Sequence, residues 1–186
     1  RKNRIIKEMK WGLEPSWSKD KLMGKKLFNA RSETLLEKPS FQDLVSKKRC
    51  VVIADGYFEW QKSRKFKKPH YIFNPNGKLL PMAGLWSSKT SLSGKSISSY
   101  TIITTTPTQK VSQIHNRMPV ILHTENLDTW LNFEKNSISL ALSVLKSSKI
   151  DLDYYPVSEK VNNAGFDKPQ CIRRANYNET LNLFSV

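Results

Sequence analysis

Residues 49–60 read RCVVIADGYFEW, and the reading of this stretch decides the fold. Its first half, CVVIA at 50–54, is a run of β-branched and small apolar residues bounded by a turn signal at Asp55-Gly56, the pattern of a buried strand. Beyond the turn a single acid, Glu59, stands among Tyr57, Phe58 and Trp60 in a chain that is otherwise strongly basic. Two readings are open. Glu59 points outward from a strand, or its pKa is raised among the aromatic rings so that it exchanges protons near neutrality.

Similar strand-like runs recur at 70–73 (HYIF), 79–86 (LLPMAGLW), 99–105 (SYTIITT), 119–122 (PVIL) and 154–158 (YYPVS). Helical patterns lie between them. PSFQDLVSKK at 39–48 opens with a proline and a capping serine. TENLDTWLNF at 124–133 has Thr124 as N-cap, with Leu127, Trp130 and Leu131 at helical spacing. SISLALSVLKSS at 137–148 has Ser137 as cap, with Ile138, Ala141, Leu142 and Leu145 on one face. These stripes are read as core-facing. The Ser/Lys-rich segment 87–99 is read as a mobile loop joining two strands. Strands outnumber helices and are mostly joined by loops, which predicts an α+β fold with a barrel-like, largely antiparallel sheet surrounded by helices. No repeat or boundary divides the 186 residues, so residues 1–186 read as one domain.

The net charge is +15, from 31 basic and 16 acidic residues. Such an excess points to a polyanion, nucleic acid first and an acidic membrane surface second. No long basic amphipathic helix supports the membrane. The basic residues cluster at 19–26, 47–49 and 62–68; KSRKFKK at 62–68 reads either as a solvated hairpin tip or as a phosphate-contacting edge with Phe66 free to stack. No apolar window reaches bilayer length. Two cysteines, Cys50 and Cys171, make neither a disulfide framework nor a zinc site. Their scarcity points to an intracellular protein, and Cys50 reads as a small core residue. With no glycine-rich phosphate loop, H-E-x-x-H, G-x-S-x-G or C-x-x-C, neither a metal nor a small-molecule cofactor is expected. The chain opens at RKNRIIKEMKW without a methionine, so an upstream segment is expected.

Two further stretches carry possible chemistry. In QIHNRMPVIL, His115 sits at an element boundary beside Arg117, which suits either a hydrogen-bonded structural histidine or a general acid–base. His70 and His123, at strand ends, read as surface or boundary residues. In LFNARSET at 27–34, Asn29 and Arg31 lie two apart, so on an extended segment they project to one face. There they either orient a substrate oxygen and a phosphate or belong to a turn.

Six stretches in order, WGLEPSW (11–17), FNARSET (28–34), RCVVIADGYFEW (49–60), MAGLW (82–86), YTIITT (100–105) and IHNRMPVIL (114–122), resemble the SRAP domain, the SOS response-associated peptidase family. The resemblance extends to VNNAGFDKPQCI at 161–172. It implies a protein that senses abasic sites in single-stranded DNA, removes its initiator methionine autocatalytically, and cross-links to the ring-opened sugar through an N-terminal cysteine as a thiazolidine. By the same resemblance Asn29 holds the terminal cysteine and the sugar, Glu59 shuttles protons, and His115 assists ring opening. Arg31 and Arg117 match phosphate-contacting arginines. Trp60, Trp11 and Trp17 line the site or stack on bases, and Thr104 contacts DNA. The partner is then abasic single-stranded DNA, without a membrane or cofactor, and the protein a monomer, nuclear in a eukaryote or cytoplasmic in a bacterium. The family's cysteine stands at the mature N-terminus, upstream of the first motif. Cys50 and Cys171, lacking a free α-amine beside the thiol, do not replace it, so the N-terminal segment that carries it is expected outside these residues. Two other classes stay open: a non-enzymatic single-strand-binding module, and a conventional protease, which the lack of an internal Cys/His/Asn or Ser/His/Asp set argues against.

Overall fold

A long antiparallel hairpin organises the larger of two sheets. In this computed structural model, which describes residues 4–18, 27–62, 67–90, 94–146 and 150–175, β6 (Leu80–Thr90) pairs with β7 (Ser96–Thr105) from Gly84↔Ile102 to Thr90↔Ser96. The segment expected to be a mobile loop is therefore largely strand. Small hydroxyl residues pair across it, Ser87 with Ser99 and Ser88 with Ser98, and Ser87, Ser98 and Ser99 are buried. A Ser/Thr-rich strand lacks the apolar alternation by which strands are recognised, yet its side chains fit a crowded pleat.

Two short strands, β1 (Lys10–Trp11) and β2 (Asn29–Arg31), run parallel to β7. Ile102 pairs with Gly84 of β6 and with Asn29 of β2, so β1 and β2 lie end to end along the edge of β7 opposite β6. β3 (Arg49–Ala54) flanks β6, and β8 (Met118–Pro119) pairs with β7. The run after β8 is held on both sides. Val120 donates to the Ile103 carbonyl and accepts from the Ala83 amide, each at 2.8 Å. The second sheet is antiparallel, with β4 (Gly56–Lys62), β5 (Lys67–Phe73) and β9 (Asp153–Pro156) in the order β4-β5-β9.

The α+β class holds, but the barrel does not. Among the described residues there is a mixed six-stranded sheet and a separate three-stranded one. The Asp55-Gly56 turn marks the point where the chain leaves the first sheet after Ala54 and enters the second at Gly56, and the parallel β1 and β2 are too short to show a period.

The three expected helices form in shortened versions: α1 (Gln42–Lys47), α2 (Leu127–Leu131) and α3 (Ile138–Lys146). Ser137 caps α3, its Oγ accepting from the Leu140 amide at 3.2 Å. Neither Ser40 nor Thr124 caps by side chain; the cap positions fall on Phe41 and, for the 3-10 turn ahead of α2, on His123. Trp130 on α2 is fully buried, and Ala141, Val144 and Leu145 of α3 join it in a core with Leu13, Leu35, Val45, Leu85 and Ile103. Ile138, by contrast, is exposed.

The residues cluster into two compact units, each built from three stretches of chain. One comprises Arg1–Ile53, Leu80–Thr106 and Pro119–Ile150; the other comprises Ala54–Leu79, Pro107–Met118 and Asp151–Val186. The basic cluster at 19–26, and residues 63–66 of the cluster at 62–68, lie outside the described residues. No helix among those residues is long and apolar enough to cross a membrane.

Candidate functional site

The position of Glu59 follows from the two-residue period of β4. Side chains alternate along a strand, and residues directly opposite in an antiparallel pair share a face. Glu59 is opposite His70, and Tyr57 opposite Ile72. One face of the small sheet thus carries Tyr57, Glu59 and Gln61 of β4, His70 and Ile72 of β5, and Tyr154 of β9. The other face carries Phe58, Trp60, Tyr71, Phe73 and Tyr155. There the rings of Phe58 and Tyr71 lie 5.5 Å apart, and those of Tyr71 and Phe73 stack at 5.9 Å. The aromatic residues that flank Glu59 in sequence therefore point away from it.

The segment that brings His115 lies on the Glu59 face. Its anchor is Gln113, at the end of a 3-10 turn (Val111–Gln113). The Gln113 carbonyl accepts from Gln61 Nε2 at 2.9 Å, and its Oε1 accepts from the Tyr154 hydroxyl at 2.6 Å. Val111 and Ile114 are buried in the same segment. His115 then comes to rest with Nδ1 3.7 Å from Glu59 Oε2, both side chains roughly a quarter exposed. Glu59 Oε1 accepts from the Trp60 amide at 3.1 Å. The Arg117 backbone meets the same ring nitrogen: its N–H and its C=O each lie 3.3 Å from His115 Nδ1. A bare Nδ1 accepts from the amide and a protonated one donates to the carbonyl, so the ring keeps its place through a change of tautomer. A carboxylate and an imidazole so arranged suit proton transfer.

Sequence reasoning missed several neighbours. His70 is buried, against the expectation of a surface or boundary residue, because its strand lies at the centre of the three. Its Nδ1 donates to the Lys68 carbonyl at 3.0 Å, its ring meets Tyr154 edge-on at 5.6 Å, and burial pushes its pKa below the usual histidine value. Tyr57 has a buried hydroxyl with no hydrogen-bond partner among the described residues, and burial, followed by the charge of Glu59, pushes its pKa up. Tyr57, Glu59 and Gln61 recur every second residue, and that alternation was the available signal.

The other expected residues fall elsewhere. Trp60 is on the opposite face of the small sheet, its indole N–H bonded to Asn162 Oδ1 at 2.7 Å. Asn29, Arg31, Trp11 and Trp17 belong to the larger unit. Asn29 and Arg31 are exposed on either side of the buried Ala30, as an extended segment requires. Trp11 is half exposed, bonded through Nε1 to the Phe28 carbonyl at 2.9 Å and set edge-on against the Phe28 ring; Trp17 is exposed. Thr104 pairs with Arg31 in register but is buried, its hydroxyl donating to the Ala30 carbonyl at 3.4 Å. Cys50 is part-buried and its thiol pKa is pushed up to about 12 by burial. Among the described residues no cluster of histidine, cysteine or acidic side chains is disposed to hold a metal.

Fold and site together define an α+β protein in which an acid on a strand and an imidazole on a neighbouring segment lie 3.7 Å apart. Residues 1–164 match the family model described as SOS response associated peptidase (SRAP), and the chain belongs to that family. It is 38% identical over 172 residues to the Bacillus subtilis protein named abasic site processing protein YoqW, covering 91% of this chain and 77% of that one. It is 35% identical over 193 residues to the Gallus gallus protein named abasic site processing protein HMCES, of which it covers 57%. Among solved structures it resembles a Bacteroides thetaiotaomicron protein with a TM-score of 0.80 at 32% identity, over 89% of this chain and 75% of the other.

Proposed function

We propose that this protein acts on abasic sites in single-stranded DNA and, where its mature N-terminus is a cysteine, joins that cysteine to the opened sugar as a thiazolidine. The observation that carries the reading is the Glu59–His115 pair, 3.7 Å apart on one sheet face. Family membership and relatives named as abasic site processing proteins support it.

The chemistry needs proton traffic at one place. Ring opening of the sugar hemiacetal moves a proton from the C1 hydroxyl to the ring oxygen, a transfer suited to His115. The terminal α-ammonium must then lose a proton before its nitrogen attacks the aldehyde carbon, and Glu59 is the acceptor. The carbonyl oxygen leaves as water, and the thiol sulfur adds to the imine carbon to close a five-membered ring, its proton passing to the nitrogen. No oxidant or reductant enters. Glu59 serves in the same way as base and acid for removal of the initiator methionine. Asn29 and Arg31 keep the roles the resemblance implies, an amide for the sugar and a guanidinium for phosphate. The charge of +15 and the exposed Trp11 and Trp17 favour a single strand, whose phosphates need cations and whose bases need aromatic faces.

Expressed from its own start codon, the protein is incubated with a single-stranded oligonucleotide carrying one abasic site and then denatured by heat. A heat-stable adduct is expected. No adduct from protein with an exposed terminal cysteine refutes the cross-linking reading. Those exposed tryptophans also suit a second reading, a module that only binds single strands; affinity that collapses with salt and ignores the abasic site would select it.

A further inference from the structure

We propose that Tyr57 is a further catalytic residue, its hydroxyl donating a hydrogen bond to the aldehyde oxygen of the abasic sugar while the amine adds to the neighbouring carbon. The inference rests on the cross-linking reading above and extends it to a residue for which that chemistry assigned no part.

Three observations carry it. Tyr57 and Glu59 are two residues apart on β4 and share the face to which Gln113 ties the His115 segment. The Tyr57 oxygen is buried and has no hydrogen-bond partner among the described residues. Its neighbours on that face are already engaged: the Tyr154 hydroxyl is bonded to Gln113, and His70 Nδ1 to the Lys68 carbonyl.

A buried hydroxyl left without a partner costs stability, and phenylalanine would pack in its place without that cost. Such a group, on the face that carries Glu59 and to which the His115 segment is tied, is what a site needs for an oxygen that arrives with the ligand. Its acidity fits the role as well. Burial, reinforced by the nearby carboxylate, pushes the phenol pKa up, so the O–H stays intact and serves as a neutral donor. When the amine nitrogen bonds to the aldehyde carbon, the C=O π pair moves onto oxygen, and a hydrogen bond aimed at that oxygen strengthens as the charge develops. Tyr57 keeps its proton. The oxygen takes the proton released from nitrogen, and the carbinolamine loses water by the route already described.

The test compares wild type with Tyr57→Phe, both as full-length protein with an exposed terminal cysteine. Three quantities are measured: the unfolding midpoint, affinity for single-stranded DNA carrying a tetrahydrofuran abasic analogue, and the rate of adduct formation on a true abasic site. The tetrahydrofuran analogue has no aldehyde, so its binding does not draw on the proposed bond. For Tyr57→Phe we expect a midpoint equal to or above that of wild type, unchanged analogue affinity, and an adduct rate lowered about a hundredfold. A wild-type adduct rate in the variant overturns the proposal. A slower rate accompanied by a fallen midpoint or weakened analogue binding also overturns it, because the residue is then only packing. Failure of wild type itself to form an adduct refutes the cross-linking reading, and the role of Tyr57 falls with it.

Discussion

Trp130 provides a stringent test of the packing in the larger unit, through the change Trp130→Phe. Its side chain is fully buried in α2, and its indole N–H donates to the Cys50 carbonyl of β3 at 2.8 Å. The Arg49 guanidinium lies over the ring, 5.5 Å from its centre, and bonds to the Val45 carbonyl at 2.7 Å and to the Trp130 carbonyl. Phenylalanine removes this part-buried hydrogen bond, worth about 1 kcal/mol net. It also removes roughly 40 Å³ of side chain, and at about 24 cal/mol per Å³ an unrelaxed cavity adds about 1 kcal/mol. A weaker platform for Arg49 adds about 0.5 kcal/mol. The sum is about 2.5 kcal/mol, equivalent to a fall of roughly 5–10 °C in the unfolding midpoint of a chain this size. Thermal and urea unfolding followed by far-UV circular dichroism measure it. Adduct formation below the transition should be unchanged, since Trp130 belongs to the core. A midpoint within about 1 °C of wild type would refute the packing argument. Normal stability with lost cross-linking would show that the tryptophan had been misread as core.

Two further outcomes are expected. Gly56→Ala should destabilise the small sheet by about 1–3 kcal/mol, because a Cβ at Gly56 would lie 2.6 Å from the Ile72 carbonyl oxygen and collide with the Tyr71 ring; an unchanged urea midpoint would contradict the β4–β5 register. Burial holds the His70 pKa below its ordinary 6.5, so the unfolded chain takes up the proton more readily than the folded one. That contribution to stability is present above about pH 6.5 and is lost as pH falls below it, so wild type should lose stability on acidification from pH 7 to 5 more steeply than His70→Gln, and parallel pH profiles would sink the assignment.

Much of this architecture was legible as pattern. The apolar runs at 50–54, 70–73 and 99–105 are strands or parts of strands, and the stripe of Ala141 and Leu145 does face the core. What escaped did so for physical reasons. Ser87, Ser98 and Ser99 pair within a sheet whose hydroxyl side chains give no hydrophobic period. β1 and β2 span two and three residues, and their parallel pairing with β7 depends on contacts about 70 to 90 positions away in sequence. In the site, the sequence sets Glu59 among Tyr57, Phe58 and Trp60, but in a strand the relevant neighbours are two residues away and across the ladder, so of those three only Tyr57 shares its face, together with Gln61 and His70. Gln113 could not be seen as the anchor of His115, because its partners Gln61 and Tyr154 come from distant strands.

The central claim is that Glu59, paired with His115, carries the protons for chemistry on an abasic aldehyde. The rate of heat-stable adduct formation by Glu59→Gln, with an exposed terminal cysteine and a single-stranded abasic oligonucleotide at pH 7, tests it most directly. Gln keeps the size and the acceptor for the Trp60 amide but neither takes nor returns a proton, so the rate should fall about a hundredfold or more while DNA binding persists. An adduct rate equal to wild type would contradict the claim.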